Sequence, residues 1–192
     1  MSLRALAAEW RALPPRVWWF RMRARRAARR RDHGFTLLAS TRADELGKLI
    51  ELARGREIVV EIGTGPAWTS LSLALADSRR RVVSYDPSVW DGRDLYAQLA
   101  GPAAERVSFV ERPGESGPRL DDPPPELLFI DSSHDQEQTL AQFAAWRDHL
   151  APGAIVVFHD YDEPAYPGVT EAVHELGLDG EVFGHLFIWR AG

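Results

Sequence analysis

The 192-residue chain contains no cysteine. That absence excludes a disulfide framework, a thiolate metal site and a cysteine nucleophile, and it fits the reducing cytoplasm, where the protein is expected to work. Lysine is almost missing as well: Lys48 is the only one, so arginine supplies the rest of the positive charge. No apolar run approaches the roughly 20 residues that a membrane-crossing helix needs. The N-terminus also lacks the uninterrupted apolar core of a secretory signal. What is present is ordinary for a globular protein: hydrophobic residues make up 45% of the chain, enough for a core and against wholesale disorder.

The net charge of −5 conceals an asymmetry. Residues 1–33 carry ten arginines against Glu9 and Asp32, a balance of +8 that leaves −13 for the remainder. The sequence therefore divides into a basic helical arm, 1–33, and a domain spanning 34–192. Trp18, Trp19 and Phe20 stand among the arginines. The plain expectation is a solvated arm or helix that docks on the acidic part of its own or a neighbouring subunit, which makes a homodimer through the arm an expected assembly. An anionic membrane surface and nucleic acid are the rival partners for such a run.

Hydrophobic patterning is alternating. Helices are expected over 3–12 and 16–31, broken at Pro14-Pro15, and over 43–54, where Ser40-Thr41 reads as the N-cap. Short apolar strands are expected at 57–62, 81–85, 107–110, 127–130 and 154–158, separated by helical patterns at 71–76, 94–100 and 136–150. Strands that are apolar throughout and separated by helices specify a parallel sheet covered on both faces. After a helix at 169–176, two strands at 180–182 and 185–190 follow so closely that they pair antiparallel. The expected fold is thus α/β: a Rossmann-like, seven-stranded, mostly parallel sheet with an antiparallel last strand and helices on both faces.

The most informative stretch is Glu61-Ile62-Gly63-Thr64-Gly65-Pro66-Ala67-Trp68. A β-branched run ends in an acid and breaks into a glycine turn that feeds a helix, an arrangement in which a ligand approaches bare backbone. Glu61 repels pyrophosphate but can accept from an ammonium or a ribose hydroxyl, which points to a cationic nucleoside such as S-adenosylmethionine. A nicotinamide-dependent oxidoreductase fits poorly, because the third glycine of its fingerprint would fall at Trp68. Asp86, 23 positions after Gly63, closes the second strand and suits a ribose diol.

The fourth strand ends Asp131-Ser132-Ser133-His134 and the fifth ends His159-Asp160-Tyr161. Open α/β sheets place their chemistry at such strand ends. Two chemistries fit. In one, Asp131, His159 and Asp160 hold a divalent cation, magnesium or manganese, that orients an acceptor hydroxyl and lowers its pKa. In the other, His134 or His159 alone takes the acceptor's proton. Tyr161 is balanced between stacking on an acceptor and packing its loop, whereas Tyr166 and Trp90 are expected only to pack their loops.

Together these motifs resemble the class I S-adenosylmethionine-dependent methyltransferases of the Methyltransferase-24 type and, more distantly, the metal-dependent sugar, macrolide and catechol O-methyltransferases. The resemblance runs from about Thr41 to the C-terminus. It implies a cofactor site lined by Glu61, Gly63, Thr64, Gly65, Asp86 and Asp131. It also implies metal ligation by Asp131 and Asp160 where a metal is used, and a general base at His134. His159 stands where metal-dependent relatives carry an acid or an amide, which moves the preference from magnesium toward manganese, iron or zinc. The expected activity is O-methylation of a small-molecule hydroxyl. The rival is a non-catalytic module that binds the cofactor while its arm contacts nucleic acid or membrane. Residues 111–115 single out no adenine contact.

Overall fold

The computed structural model describes residues 3–90 and 92–192, with side chains from residue 8 onward. Its chain order is α1 (Leu3–Ala12), α2 (Pro15–Arg30), α3 (Gly34–Leu38), α4 (Ala43–Leu52), β1 (Ile58–Ile62), α5 (Trp68–Ala76), β2 (Arg81–Tyr85) and α6 (Arg93–Ala100). There follow β3 (Val107–Val110), β4 (Leu127–Ile130), α7 (Gln136–Arg147), β5 (Ile155–Phe158), α8 (Pro167–Glu175), β6 (Glu181–Phe183) and β7 (Leu186–Arg190).

All seven strands join one sheet in the order β3-β2-β1-β4-β5-β7-β6. The first five are parallel, and β7 runs antiparallel to both β5 and β6, as the sequence led us to expect. Because successive side chains point to opposite faces, each strand feeds two cores. Val59, Phe129, Val157 and Ile188 face α2, α4, α5 and α6. Val60, Leu128, Val156 and Phe158 face α7 and α8. Every residue of β1, β4 and β5 is buried, which is why these strands read as continuous apolar runs.

Pro15 begins α2, where its missing N–H costs nothing. One stripe of α2, with Val17, Phe20, Ala24 and Ala28, is buried against the body of the protein. The opposite stripe, with Arg16, Trp19, Arg23, Arg26 and Arg30, is exposed. Arg21 is buried with the first stripe: its guanidinium donates to Thr41 O at 2.9 Å and lies over the Trp68 ring. Burial, with Arg25 nearby, brings its pKa down to about 10. Among the described residues no helix is long and apolar enough to cross a membrane.

The region before α4 differs from expectation. Ser40 and Thr41 do not cap α4, whose N-cap is Arg42 with no side-chain bond. The short helix α3 was not foreseen, and it turns both residues elsewhere. Ser40 donates to Leu37 O, and the Thr41 hydroxyl pairs with that of Thr69 at 2.8 Å. Thr36 and Leu37 anchor α3 from below, leaving Phe35 and Leu38 exposed on its outer side.

Candidate active site

A cavity of about 650 Å³ opens along the C-terminal ends of β1, β2, β4 and β5 and is walled on one side by α3 and the start of α4. It brings together Glu61, Gly63, Thr64, Gly65, Asp86, Asp131, His134, His159 and Asp160, the cofactor, metal and proton-transfer candidates read from the sequence.

The cofactor-type end is built from the β1 turn. Gly63 N donates to Tyr85 O at 2.8 Å, and its φ of +96° suits glycine. A Cβ there would lie 1.8 Å from Asp131 O, so only glycine lets the ends of β1 and β4 approach this closely. Gly65 N donates to Asp86 Oδ2 and Ser88 N to Asp86 Oδ1, each at 2.8 Å. Asp86 therefore ties the glycine turn to the end of β2, with Arg93 Nη2 3.9 Å away. On the other side, Gly114 seats against Ile62, and its carbonyl accepts from the Trp146 indole at 2.8 Å. This brings Glu115, with its partner Gln138, to the cavity wall.

Glu61 lies beneath the turn, only 1% exposed, and accepts from Ser84 Oγ, which also pairs with Thr64. Burial pushes its carboxyl up to about 8, and the charges of Asp131 and Asp86 add to this against hydrogen bonds from Ser84 and Ser70. A carboxyl whose folded pKa is raised stabilises the fold fully below its unfolded value, about 4.5, and loses that contribution as pH rises toward 8. Glu61→Gln removes the titration. We expect urea denaturation of the ligand-free protein to show wild type losing on the order of a few kcal/mol relative to the variant between pH 5 and 8. Parallel pH profiles for the two proteins would contradict this description of Glu61.

The other end of the cavity holds a cluster of acids and histidines. His134 and Asp160 take left-handed backbone conformations, with φ of +61° and +59°. Such geometry is costly for a residue with a Cβ, and it concentrates where a side chain must be aimed. His134 Nε2 lies 2.7 Å from Asp160 Oδ2 and 3.9 Å from Asp131 Oδ1. His159 Nδ1 lies 3.0 Å from the same oxygen of each aspartate, and its Nε2 faces Glu45 at 3.4 Å. Glu45, from α4, also accepts from His185 N at 3.0 Å.

Burial alone would lower both histidine pKa values. The carboxylates outweigh it: hydrogen bonds to Asp131 and Asp160 raise His134 to about 9, and Asp131, Asp160 and Glu45 raise His159 well above its ordinary value. Burial would raise the acids, yet the histidines hold Asp131, Asp160 and Glu45 below the usual carboxylate range.

The balance left at Tyr161 falls on the packing side, and Tyr166 and Trp90, expected only to pack their loops, also line the cavity. Tyr161 is buried against Phe187 and lies outside the cavity lining. Tyr166 instead stacks on His134, with ring centroids 4.2 Å apart, and Trp90 stacks on Phe35 at 4.8 Å. Both line the cavity. Sequence reasoning also passed over Glu45, whose place on an amphipathic helix reads as a solvated position. The one signal for it was its acid type at a position that the helix periodicity turns toward the sheet. Trp68, in the glycine turn, is buried edge-on against Tyr96 and also lines the cavity.

Strand order, antiparallel hairpin and a crevice at the strand ends of β1, β2 and β4 define a class I S-adenosylmethionine-dependent methyltransferase. The chain belongs to the Methyltransferase domain family of the Methyltransf_24 type, which matches residues 60–161. No curated protein sequence matches it. Among solved structures it is similar to cofactor-bound Rv0187 from MTB, at 22% identity and a TM-score of 0.65 over 98% of this chain and 90% of that one. It is also similar to CalS11, a TDP-rhamnose 3'-O-methyltransferase of calicheamicin biosynthesis, at 20% identity and a TM-score of 0.64, covering 79% and 81% of the two chains. A third is the O-methyltransferase TomG from Streptomyces achromogenes, solved with SAM, at 22% identity and a TM-score of 0.60 over 80% and 82%. These likenesses establish the shared fold.

Proposed function

We propose that the protein transfers the methyl group of S-adenosylmethionine to a hydroxyl of a small molecule, with His134 taking the hydroxyl proton. The carrying observation is the convergence of Asp131, His134, His159 and Asp160 beside the glycine turn in one cavity. In this reading Asp86 accepts from the ribose hydroxyls, the glycine turn lets the cofactor approach bare backbone, and Glu61, buried beneath the turn and bonded to Ser84, supports that turn from below. The sulfonium is already activated, so the protein's tasks are positioning and proton removal.

The cluster also fits a divalent cation. Among the described residues, one ligand atom each from Asp131, His134 and Asp160 lies within 4.8 Å of the others. His159 Nδ1 is buried, lies 3.0 Å from an oxygen of each aspartate and makes a well-directed hydrogen bond to neither. The sequence expectation put His159 in the metal set, whereas the group that the geometry brings together holds His134 in its place; Asp131 and Asp160, with one of the two histidines, would hold the cation. The mixed oxygen and nitrogen donors suit manganese, iron or zinc ahead of magnesium. When bound, the cation lowers the pKa of a coordinated hydroxyl. Asp131 and Asp160, once engaged there, no longer hold a proton on His134, whose Nε2 is then free to accept one.

Titrating manganese into the purified protein, followed by its paramagnetic resonance signal, tests the cation site. One bound ion is expected, with affinity weakened roughly tenfold or more in Asp160→Ala. Absence of binding would leave the histidines as the only proton acceptors in the cluster.

A further inference from the structure

We infer that the acceptor is an uncharged or cationic ring compound, held by the exposed apolar side chains that α3 and Tyr166 contribute to the cavity lining, and that phosphorylated or carboxylated acceptors are excluded. This deepens the function proposed above and rests on it.

The first observation is the distribution of exposed apolar side chains. Phe35 is 56% exposed, Leu38 85% and Tyr166 41%, and all three line the cavity. Large apolar groups left open to water along one cavity mark a surface that a ligand covers. Their arrangement is held from behind. Thr36 and Leu37 anchor α3, Phe35 is braced by the parallel ring of Trp90, and Tyr166 is stacked on His134. The ring of Tyr166 thus stands next to the imidazole that faces Asp160. A flat ring resting near it brings a ring hydroxyl to the proton-accepting group.

The second observation, independent of the first, is charge. Around the histidines the cavity presents the carboxylates of Glu45, Asp131, Asp160 and Glu163. Among the described lining residues Arg42 is the one arginine or lysine. Its side chain is 64% exposed and already lies 3.7 Å from Asp44. His134 is paired with Asp160, and His159 Nδ1 lies 3.0 Å from Asp131 and Asp160. Recognition of a phosphate or carboxylate calls for an available guanidinium or ammonium. The acceptor end offers acids instead, which repel an anion and attract an amine.

The test uses the protein saturated with S-adenosylhomocysteine and three probes that share one ring diol and differ in charge: catechol, dopamine and protocatechuate, with thymidine diphosphate as a fourth. Calorimetry is expected to show catechol and dopamine binding, with protocatechuate and the diphosphate at least about tenfold weaker. In Leu38→Asp, catechol is expected to weaken roughly fivefold while S-adenosylmethionine affinity stays unchanged. Tightest binding by an anionic probe, an unaffected Leu38→Asp, or no binding of any ring diol by a protein that binds S-adenosylmethionine would each overturn the inference alone. Failure to bind S-adenosylmethionine would overturn the proposed function together with it.

Discussion

His134→Ala is expected to lower the rate of methyl transfer by roughly 10²–10⁴-fold, the range removed when a positioned general base is lost, and to leave S-adenosylmethionine affinity within about threefold. The expectation rests on position: His134 Nε2 sits 2.7 Å from Asp160 and on the cavity wall, whereas the cofactor-type contacts lie at the ends of β1 and β2. The pH dependence carries a sign. With hydrogen bonds donated to Asp131 and Asp160 raising its pKa to about 9 against burial, His134 is protonated at neutral pH in the cation-free protein and cannot accept a proton. Turnover in chelator should therefore climb with pH toward 9, and Asp160→Asn should shift the rise to lower pH. The same linkage acts on stability. A histidine with a raised folded pKa contributes fully below its unfolded value, about 6.5, and loses the contribution as pH rises through about 9. Steady-state turnover against pH, in wild type and His134→Ala, checks both statements. A variant that retains full rate would remove His134 from the chemistry.

Asp86→Ala carries the second large effect, an expected loss of about 100-fold in S-adenosylmethionine affinity. Two charge-assisted bonds to a ribose diol are together worth roughly 3 kcal/mol or more. The same carboxylate also receives Gly65 N and Ser88 N, so its removal loosens the glycine turn as well. Asp86→Asn separates the two contributions, since an amide oxygen still accepts one turn N–H without the charge. It should fall between wild type and alanine. Equal affinity of all three proteins by calorimetry would refute the ribose role.

The glycine turn and the strand ends were legible because each obeys a local rule. Glu61 through Gly65 combine a β-branched run with residues that tolerate positive φ. Asp86, Asp131 and Asp160 interrupt apolar strands where the sheet ends. The hairpin of β6 and β7 followed from spacing alone, since two strands so close admit only antiparallel pairing. What escaped depends on tertiary placement. The helix α3 has five residues, too few to display a helical period, and it displaced the N-cap expected at Ser40 and Thr41. Glu45 reaches His159 across 114 residues of sequence, a separation at which local patterning carries no information. The sequence left Tyr161 undecided and missed Tyr166, because the turn after β5 passes through left-handed residues at Asp160 and Asp162 before the chain reaches the cavity at Tyr166.

The most direct test of the central claim is calorimetric titration of the purified protein with S-adenosylmethionine and, in parallel, with NADH. The account predicts one S-adenosylmethionine site per chain, competed by S-adenosylhomocysteine, and no heat from NADH, because Trp68 stands where a dinucleotide fingerprint needs its third glycine. Binding of NADH without binding of S-adenosylmethionine would contradict it.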